Sequence, residues 1–135
     1  MRILAVDDEF ITINKLKLLL SDYGTCDAAE TGQQSLDMFL AAHEESRPYD
    51  LIALDIQLPD MTGQDVLGKI RKWELENNAY SNDQEAKILM VTAMHDRDNI
   101  LSSFRKGCEG YLTKPFDENK LKKSLTNLGI RQGGK

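Results

Sequence analysis

Five side chains that could act together in one reaction each follow a short apolar segment of the sequence. They are Asp7, Asp8, Asp55, Thr92 and Lys114. Three carboxylates gathered in one place would repel one another, because two unit charges 4 Å apart interact by about 4 kcal/mol at an effective dielectric of 20. Such a cluster requires positive charge. The candidates are Lys114 and a hard divalent cation such as Mg²⁺, which prefers carboxylate and water oxygens.

A carboxylate surrounded by a metal ion, a hydroxyl and an ammonium group is suited to phosphoryl transfer. Asp55 would attack phosphorus, Mg²⁺ and Lys114 would neutralise the phosphoryl oxygens, and Thr92 would donate a hydrogen bond to one of them. Taken singly, these residues have plainer explanations, since an aspartate after a strand often caps a helix, as Asp8 or Glu9 could do here. The combination favours the phosphoryl-transfer site.

Other kinds of reactive site lack their residues in this sequence. There is no Ser-His-Asp or Cys-His pair for nucleophilic catalysis and no glycine-rich phosphate loop. His43 falls in a polar helix end and His95 in a loop, so we interpret both as solvated side chains. Cys26 and Cys108 lack metal-ligand spacing, and we interpret them as reduced packing residues.

Short apolar segments alternate with helical patterns along the chain. The segments predict strands at residues 3–6, 26–29, 51–54, 88–91 and 111–113. Between them apolar residues recur at helical spacing, and Gly24, Gly107 and Gly129 mark helix ends. This order predicts an α/β fold with a doubly wound, five-stranded parallel sheet and helices on both faces. In such sheets ligands bind beyond the carboxyl ends of the strands, where the strand order reverses.

The composition is typical of a single globular domain. The chain has 135 residues, of which 41% are hydrophobic and 29% charged. We expect the folded domain at residues 1–129 and a flexible tail or linker stub at 130–135. A net charge of −5 without a basic run argues against nucleic-acid binding. The sequence contains neither a membrane-spanning segment nor a signal peptide, which favours a cytoplasmic protein.

Four separated segments of the sequence form a recognisable set: VDDEF at residues 6–10, LDIQLPDMTG at 54–63, VTAM at 91–94 and EGYLTKPFD at 109–117. Together they resemble the receiver domains of two-component response regulators. Their order and spacing are those of the family, and the resemblance covers residues 1–129. It implies a stand-alone, chemotaxis-regulator-like receiver with the (βα)₅ flavodoxin-like fold.

The resemblance also implies a role for each residue of the predicted site. Asp55 is the phosphorylated residue, Lys114 pairs with the phosphoryl group, and the Lys114–Pro115 peptide bond is cis. Thr92 and Tyr111 form the conformational switch. The implied ligands of Mg²⁺ are Asp8, Asp55, the backbone carbonyl of Gln57 and, directly or through water, Asp7.

The implied function is a phosphoacceptor switch rather than an ordinary enzyme. The phosphoryl donor is a phosphohistidine on a sensor histidine kinase or a histidine phosphotransfer protein. The chain catalyses only its own phosphorylation and slow autodephosphorylation. It is expected to be a monomer or a weak phosphorylation-dependent dimer. The alternative is a phosphorelay intermediate, which passes the phosphoryl group on to a histidine phosphotransfer protein.

An output surface for a downstream protein target is expected on the fourth helix, the fifth strand and the fifth helix. Ile100, Leu101 and Phe104 span an arc too wide for one helical stripe to bury. By the family's register Leu101 faces the sheet, so that Ile100 and Phe104 share an outward face beside Tyr111. The opposing interpretation is that Phe104 folds back over the sheet edge.

Two features depart from the commonest family pattern. Residues 73–86 form an insertion, which is expected to extend the third helix before a polar loop at 77–84. Gln57 and Met94 lie two residues past Asp55 and Thr92, at positions that tune the lifetime of the phosphoryl group in this family.

Two other α/β classes fit the sequence less well. A haloacid-dehalogenase-type phosphatase also forms an aspartyl phosphate, but its two aspartates after the first strand are two residues apart, whereas Asp7 and Asp8 are adjacent. Its cap domain would not fit in this chain either. A flavodoxin-like flavin carrier shares the topology, but the acidic first loop would repel the flavin phosphate.

Overall fold

Strands and helices alternate strictly along the chain, in the order that the sequence predicts. The structure, a computed structural model, describes residues 1–93 and 97–132. The strands within these ranges are β1 (Arg2–Val6), β2 (Thr25–Ala29), β3 (Leu51–Asp55), β4 (Lys87–Ala93) and β5 (Gly110–Lys114). The helices are α1 (Phe10–Leu20), α2 (Gly32–Glu44), α3 (Gly63–Glu76), α4 (Arg97–Arg105) and α5 (Glu118–Asn127).

The strands form one parallel sheet in the order β2-β1-β3-β4-β5. The strand order reverses between β1 and β3, because β1 continues to β2 on one side and β3 continues to β4 and β5 on the other. The predicted doubly wound parallel sheet is therefore confirmed. The reversal places the ends of β1 and β3 side by side at the point where such folds bind ligands.

The core consists of two apolar layers, one on each face of the sheet. Successive residues of a strand point to opposite faces, so Ile3 packs with α1 and α5 while Leu4 packs with α2 and α3. Every residue of β3 is buried. This two-sided covering explains why the central strands are nearly continuous apolar runs rather than alternating ones.

Local sequence sets the start of α3, the helix that follows the predicted site. The Thr62 hydroxyl accepts a hydrogen bond from the Asp65 backbone N–H (3.1 Å), and the Asp65 carboxylate accepts one from the Thr62 N–H (3.3 Å). Between them, Gly63 packs so closely that a Cβ there would lie 2.2 Å from the carbonyl oxygen of Asp55. The first turn of α3 therefore rests directly on the end of β3.

The expected helix extension after α3 is confirmed, but two expected element ends are not. α3 runs to Glu76, and turns follow at residues 77–83. α1 ends at Leu20, although its apolar pattern continues to Tyr23, whose buried ring belongs to the turn that follows.

Ile130 falls in the expected tail yet is only 3% exposed, because it packs against the α1 and α5 layer. The folded unit thus includes this residue, and residues 133–135 lie outside the described ranges.

His43 is not the solvated side chain that the sequence suggests. It lies where α2 packs on α3, and its ring is 4.4 Å from that of Trp73 and 4.9 Å from that of Phe39. Burial lowers the pKa of His43 below its ordinary value, while the nearby Glu74 opposes this shift. The sequence pattern missed the contact because it joins two different helices. His95 lies outside the described residues.

Within residues 1–93 and 97–132, no helix combines the length and the apolar character needed to cross a membrane.

We expect His43 to make folding stability depend on pH in the mildly acidic range. Its pKa is lower in the folded chain than in the unfolded chain, so the unfolded chain takes up the proton first. The stability that the neutral ring contributes is fully present above a pH of about 6.5, the unfolded-state pKa. It is lost as the pH falls from there through the lower folded-state pKa. Unfolding followed by the fluorescence of Trp73, the only tryptophan, measures the effect.

The control for this prediction is His43→Leu, which keeps an apolar contact with Trp73 and removes the titrating ring. Other groups titrate in both proteins, so the difference between the two stability profiles isolates His43. The parent should lose more stability than the variant between a pH of about 7.5 and about 5.5. Identical profiles would contradict the prediction.

Candidate functional site

The predicted carboxylates meet at the carboxyl ends of β1 and β3. Val6 pairs with Leu54, so Asp7, which follows Val6, comes beside Asp55 at the end of β3. Oxygens of Asp7, Asp8 and Asp55 lie within 4.8 Å of one another. Asp7 is fully buried and Asp55 is 5% exposed, whereas Asp8 is exposed. Two of the three carboxylates are thus held away from water, where their repulsion is strong.

Lys114 supplies the positive charge of this cluster from the other side of the site. Its Nζ lies 2.9 Å from Asp7 Oδ2, 3.0 Å from Glu9 Oε1 and 3.4 Å from Asp55 Oδ2. β5 delivers it because Lys114 pairs with Ala93 of β4, which lies beside β3. The Lys114–Pro115 peptide bond is cis.

The pKa values of Asp55 and Lys114 both lie above their ordinary values. Burial raises the pKa of Asp55, Asp7 raises it further, and Lys114 and the Gln57 backbone N–H oppose them, which leaves the pKa at about 6. For Lys114, burial would lower the pKa, but the hydrogen bonds to Asp7 and Glu9 raise it above the ordinary value. The lysine is therefore fully charged, while excess negative charge remains at Asp55.

Gln57 and Thr92 are the two other predicted residues near the ends of β3 and β4. The Gln57 N–H donates a hydrogen bond to Asp55 Oδ1 at 3.2 Å. The side chain of Thr92 is 1% exposed, and its hydroxyl makes a long hydrogen bond of 3.4 Å to the carbonyl of Ala93. Such a bond is weak, so little holds the hydroxyl in its present direction.

An open cleft of about 460 Å³ connects these side chains with the surface. The predicted site residues in its wall are Asp8, Asp55, Gln57, Thr92 and Lys114. The expected metal ligands among them are Asp8, Asp55 and the backbone carbonyl of Gln57. They offer carboxylate and carbonyl oxygens, which are the hard ligands that Mg²⁺ prefers. The residues present therefore fit a magnesium ion.

The sequence did not predict two acidic contacts around the site. Glu9 appeared only as a possible cap for the first helix, but it binds Lys114, although its side chain is 64% exposed. Asp60 accepts hydrogen bonds from the N–H groups of Gly32 and Gln33 at the start of α2, and these bonds lower its pKa. The sequence around Asp60 gave no signal of this contact, because the start of α2 lies far from Asp60 along the chain.

The structure shows how far each residue of the expected output surface is exposed, and it differs from the prediction at one of them. Tyr111 is 45% and Phe104 43% exposed, and their rings meet edge to face at 6.0 Å. Ile100 is half-buried. Leu101 does not face the sheet, since it is 49% exposed, whereas Ser103 on the same helix is fully buried. The family's register was therefore wrong for Leu101. Met94, a predicted lifetime-tuning residue, lies outside the described residues.

Residues 3–126 of the chain match the family described as the response regulator receiver domain. The chain is 34% identical over 137 residues to the chemotaxis protein CheY of Pseudomonas aeruginosa, covering 99% of this chain and all of that protein. It is 32% identical over 134 residues to the sensor protein GacS of Pseudomonas syringae pv. syringae, of which it spans only 14%.

Solved structures share the fold. The chemotaxis response regulator CheY4 of Vibrio cholerae superimposes with a TM-score of 0.74 at 25% identity, covering 94% of this chain and 97% of that one. A chain in the Saccharomyces cerevisiae co-crystal structure of the histidine phosphotransfer protein Ypd1 and the receiver domain of Ssk1 has a TM-score of 0.78 at 27% identity, with 93% and 86% covered.

The parallel sheet with an acidic cluster at its strand-order reversal is the architecture of a receiver domain of two-component signalling. The chain belongs to the response regulator receiver domain family. Among the members of that family, it matches the stand-alone, CheY-like receivers along the full length of the Pseudomonas aeruginosa protein.

In the absence of divalent cations, we expect Asp55→Asn to stabilise the fold at neutral pH. The pKa of Asp55 rises from 3.8 to about 6, and each unit corresponds to about 1.4 kcal/mol, so the ionised carboxylate costs at most about 3 kcal/mol. Because Lys114 loses a partner, we expect a gain of about 1–3 kcal/mol in the free energy of unfolding. Denaturant unfolding with a chelator present measures it.

The sign of this effect depends on pH. A raised folded-state pKa means that the penalty is present above a pH of about 6 and disappears as the pH falls from there toward 3.8. The gain from Asp55→Asn should shrink over the same range. Glu44→Gln also replaces a carboxylate by an amide, but at an exposed position on α2. It should change the free energy of unfolding by no more than about 0.5 kcal/mol. A destabilised Asp55→Asn protein at neutral pH would refute the interpretation.

Proposed function

We propose that this receiver domain accepts a phosphoryl group on Asp55 from a phosphohistidine donor, with Mg²⁺ bound, and signals by changing the shape of a surface. The observation that carries the proposal is the position of Asp55. It is a nearly buried carboxylate at the wall of an open cleft, with two more carboxylates within 4.8 Å and Lys114 Nζ at 3.4 Å.

The chemistry of the step follows from the groups around Asp55. With a pKa of about 6, its carboxylate is mostly ionised at neutral pH and can act as a nucleophile. One of its oxygens forms a bond to phosphorus while the bond between phosphorus and the imidazole nitrogen of the donor breaks. The imidazole leaves with the electron pair of that bond. No proton has to leave Asp55 first.

Charge around the transferred group would be balanced by the chain's own residues and by the metal. Asp8, Asp55 and the backbone carbonyl of Gln57 would hold Mg²⁺, with Asp7 acting directly or through water. When bound, the ion supplies neutralisation of the phosphoryl oxygens. Lys114, which now contacts three carboxylates, would exchange part of these contacts for the phosphoryl group. The chain would thereby promote its own phosphorylation without turning over a separate substrate.

Thr92 and Tyr111 would convert this reaction into a change of shape. The Thr92 hydroxyl, weakly held at Ala93, would turn to donate a hydrogen bond to the phosphoryl group. Movement of Thr92 would free space for Tyr111, whose half-exposed ring would then favour an inward rotamer. This is a population shift between two existing states. Tyr111 contacts Phe104, so the surface around α4 would change with it.

A phosphorelay intermediate is the second candidate function, and a surface near the site favours it. Phe10 and Ile11, which follow the acidic residues of the cleft, are 76% and 82% exposed, and Leu18 on the same helix is 73% exposed. Exposed apolar side chains at the mouth of a site mark a docking surface for a partner. A histidine phosphotransfer protein docked there would serve either as donor or as acceptor. Chasing the labelled chain with such a protein distinguishes a relay from an end point.

We expect a small acyl phosphate with Mg²⁺ to label the chain once, on Asp55. Asp55→Asn should abolish the label, because an amide does not replace the carboxylate nucleophile. Asp8→Ala should reduce labelling and weaken Mg²⁺ binding in calorimetry, since it removes the exposed carboxylate of the cluster. Intact-mass measurement at neutral pH gives the stoichiometry.

The exposed aspartate of α2, Asp37, provides the control, because Asp37→Asn should label like the parent. Full labelling of Asp55→Asn would place the phosphoryl group on another residue. An Asp8→Ala variant that titrates with Mg²⁺ like the parent would refute the proposed metal ligand.

We expect the double variant Ile100→Ala and Phe104→Ala to lose partner binding while keeping its labelling rate. Phe104 is 43% exposed and Ile100 half-buried, so truncation should reduce stability by only about 1–2 kcal/mol, less than for a core aromatic. When an aromatic residue is a hot spot at the centre of an interface, its truncation weakens binding by about 2 kcal/mol, which is roughly thirtyfold in affinity. Leu18→Ala on α1 is the matched control. Binding that is lost only in the control would move the output surface to α1.

A further inference from the structure

A buried amide joins the first turn of α3 to the first turn of α4. Gln64 is 8% exposed, and its Nε2 donates a hydrogen bond of 2.9 Å to Asn99 Oδ1 and a longer one of 3.4 Å to the Asn99 carbonyl. The carbonyl of Asn99 also accepts a hydrogen bond from the buried Ser103 hydroxyl, one turn further along α4. Gln64 thus binds a residue in the first turn of α4 that is also hydrogen-bonded to the next turn of the helix.

Gln64 also follows the residue that touches the end of β3. The N–H of Gly63 donates a hydrogen bond of 2.7 Å to the Ile56 carbonyl, and no Cβ fits between Gly63 and the carbonyl of Asp55. Any shift of the Asp55–Ile56 backbone must therefore move the first turn of α3. The amide of Gln64 is the next group along the chain, so the shift reaches Asn99 through one side chain.

The other end of α4 is held by charged groups. The Nε of Arg71 donates to the carbonyl of Gly107 at 2.9 Å, and its Nη2 donates to both carboxylate oxygens of Glu109 at 2.7 and 3.0 Å. Its Nη1 donates to Glu74 Oε1 at 2.6 Å and to the Ala86 carbonyl at 2.8 Å. We call Arg71, Glu74 and Glu109 the Arg71 cluster.

The bonds that Arg71 makes to the turn after α4 are stronger than the amide pair. Three of them reach Gly107 and Glu109, and two of these three join opposite charges, whereas the bond to Glu74 stays within α3. Hydrogen bonds with an ionised partner are roughly twice as strong as neutral ones, and all three must open before this turn can leave Arg71. Losing a single neutral hydrogen bond, such as that between Gln64 and Asn99, changes an equilibrium constant by only about two- to tenfold.

We propose that the Gln64–Asn99 hydrogen bond is a releasable link between the Asp55 loop and α4, and that α4 pivots about its C-terminal turn, which the Arg71 cluster holds fixed. The inference rests on the proposed phosphorylation of Asp55, and it adds a route to the output surface besides Thr92 and Tyr111. Gln64 is a positioning residue in this scheme. It acts through Asn99 and does not touch the phosphoryl group.

Hydrogen–deuterium exchange on the full unphosphorylated chain tests the link. Gln64→Leu removes the hydrogen bond and replaces the amide by an apolar side chain of similar size. Amides of residues 101–103 should then exchange about two- to tenfold faster. Amides of residues 107–110 should exchange at the parent's rate. Gln84→Leu, the same change at an exposed glutamine, should alter neither segment. Asn99→Ala should speed exchange at residues 101–103 as well.

A second arm uses beryllofluoride with Mg²⁺ as the phosphoryl mimic. In the parent it should speed exchange at residues 101–103 but not at 107–110, and in Gln64→Leu it should add little to the rate already reached. A merely structural role for Gln64 would instead lower the melting temperature and speed exchange at both ends of α4 alike. That result, or an unchanged rate at 101–103 in Gln64→Leu, overturns the inference.

The two proposals fail in different ways in this experiment. Protection around Asp55 on addition of beryllofluoride, with residues 101–103 unchanged in the parent, would leave the phosphoacceptor function standing and refute the link. No change anywhere on addition of beryllofluoride would refute the phosphoacceptor function, and with it the coupling.

Discussion

Two carboxylates are buried at the end of a parallel sheet, and this electrostatic constraint shapes the site around them. Asp7 and Asp55 are almost completely removed from water, and only Lys114 among the described residues supplies an amine within hydrogen-bond distance of both. One positive charge does not balance these two carboxylates together with Asp8, whose oxygens lie within 4.8 Å of theirs. The site therefore has an unmet demand for positive charge, which the proposed divalent cation would satisfy and the proposed phosphoryl group would share differently.

The order of the strands makes this arrangement possible. β1 and β3 are neighbours, so two carboxylates from distant parts of the chain meet where the strand order reverses. β4 and β5 then carry Thr92 and Lys114 to the same edge of the sheet. Because Tyr111 lies three residues before Lys114 on β5, and its ring packs on α4 through Phe104, the strand that neutralises the site also borders the proposed output surface.

Sequence alone predicted the alternation of elements well, because each strand is a short apolar run and each helix carries its own periodic stripe and end signals. It did less well wherever two elements share a contact. His43 was expected in solvent but packs between α2 and α3, Leu101 was expected against the sheet but points outward, and Ile130 was expected in the tail but fills the core. Helical periodicity predicts that a helix has a buried face. The neighbouring elements decide which residues occupy it.

The proposed chemistry was predictable from the residue types, because aspartate, threonine and lysine stand at the carboxyl ends of four strands and a parallel fold brings these ends together. How these groups interact depends on the folded structure. Burial is the largest cause of the raised pKa of Asp55, because the cost of a charge depends on how much water it loses. Only packing gives Glu9 its contact with Lys114, and Gln64 its contact with Asn99. Such contacts join residues that are far apart along the chain, and no local pattern of residues encodes them.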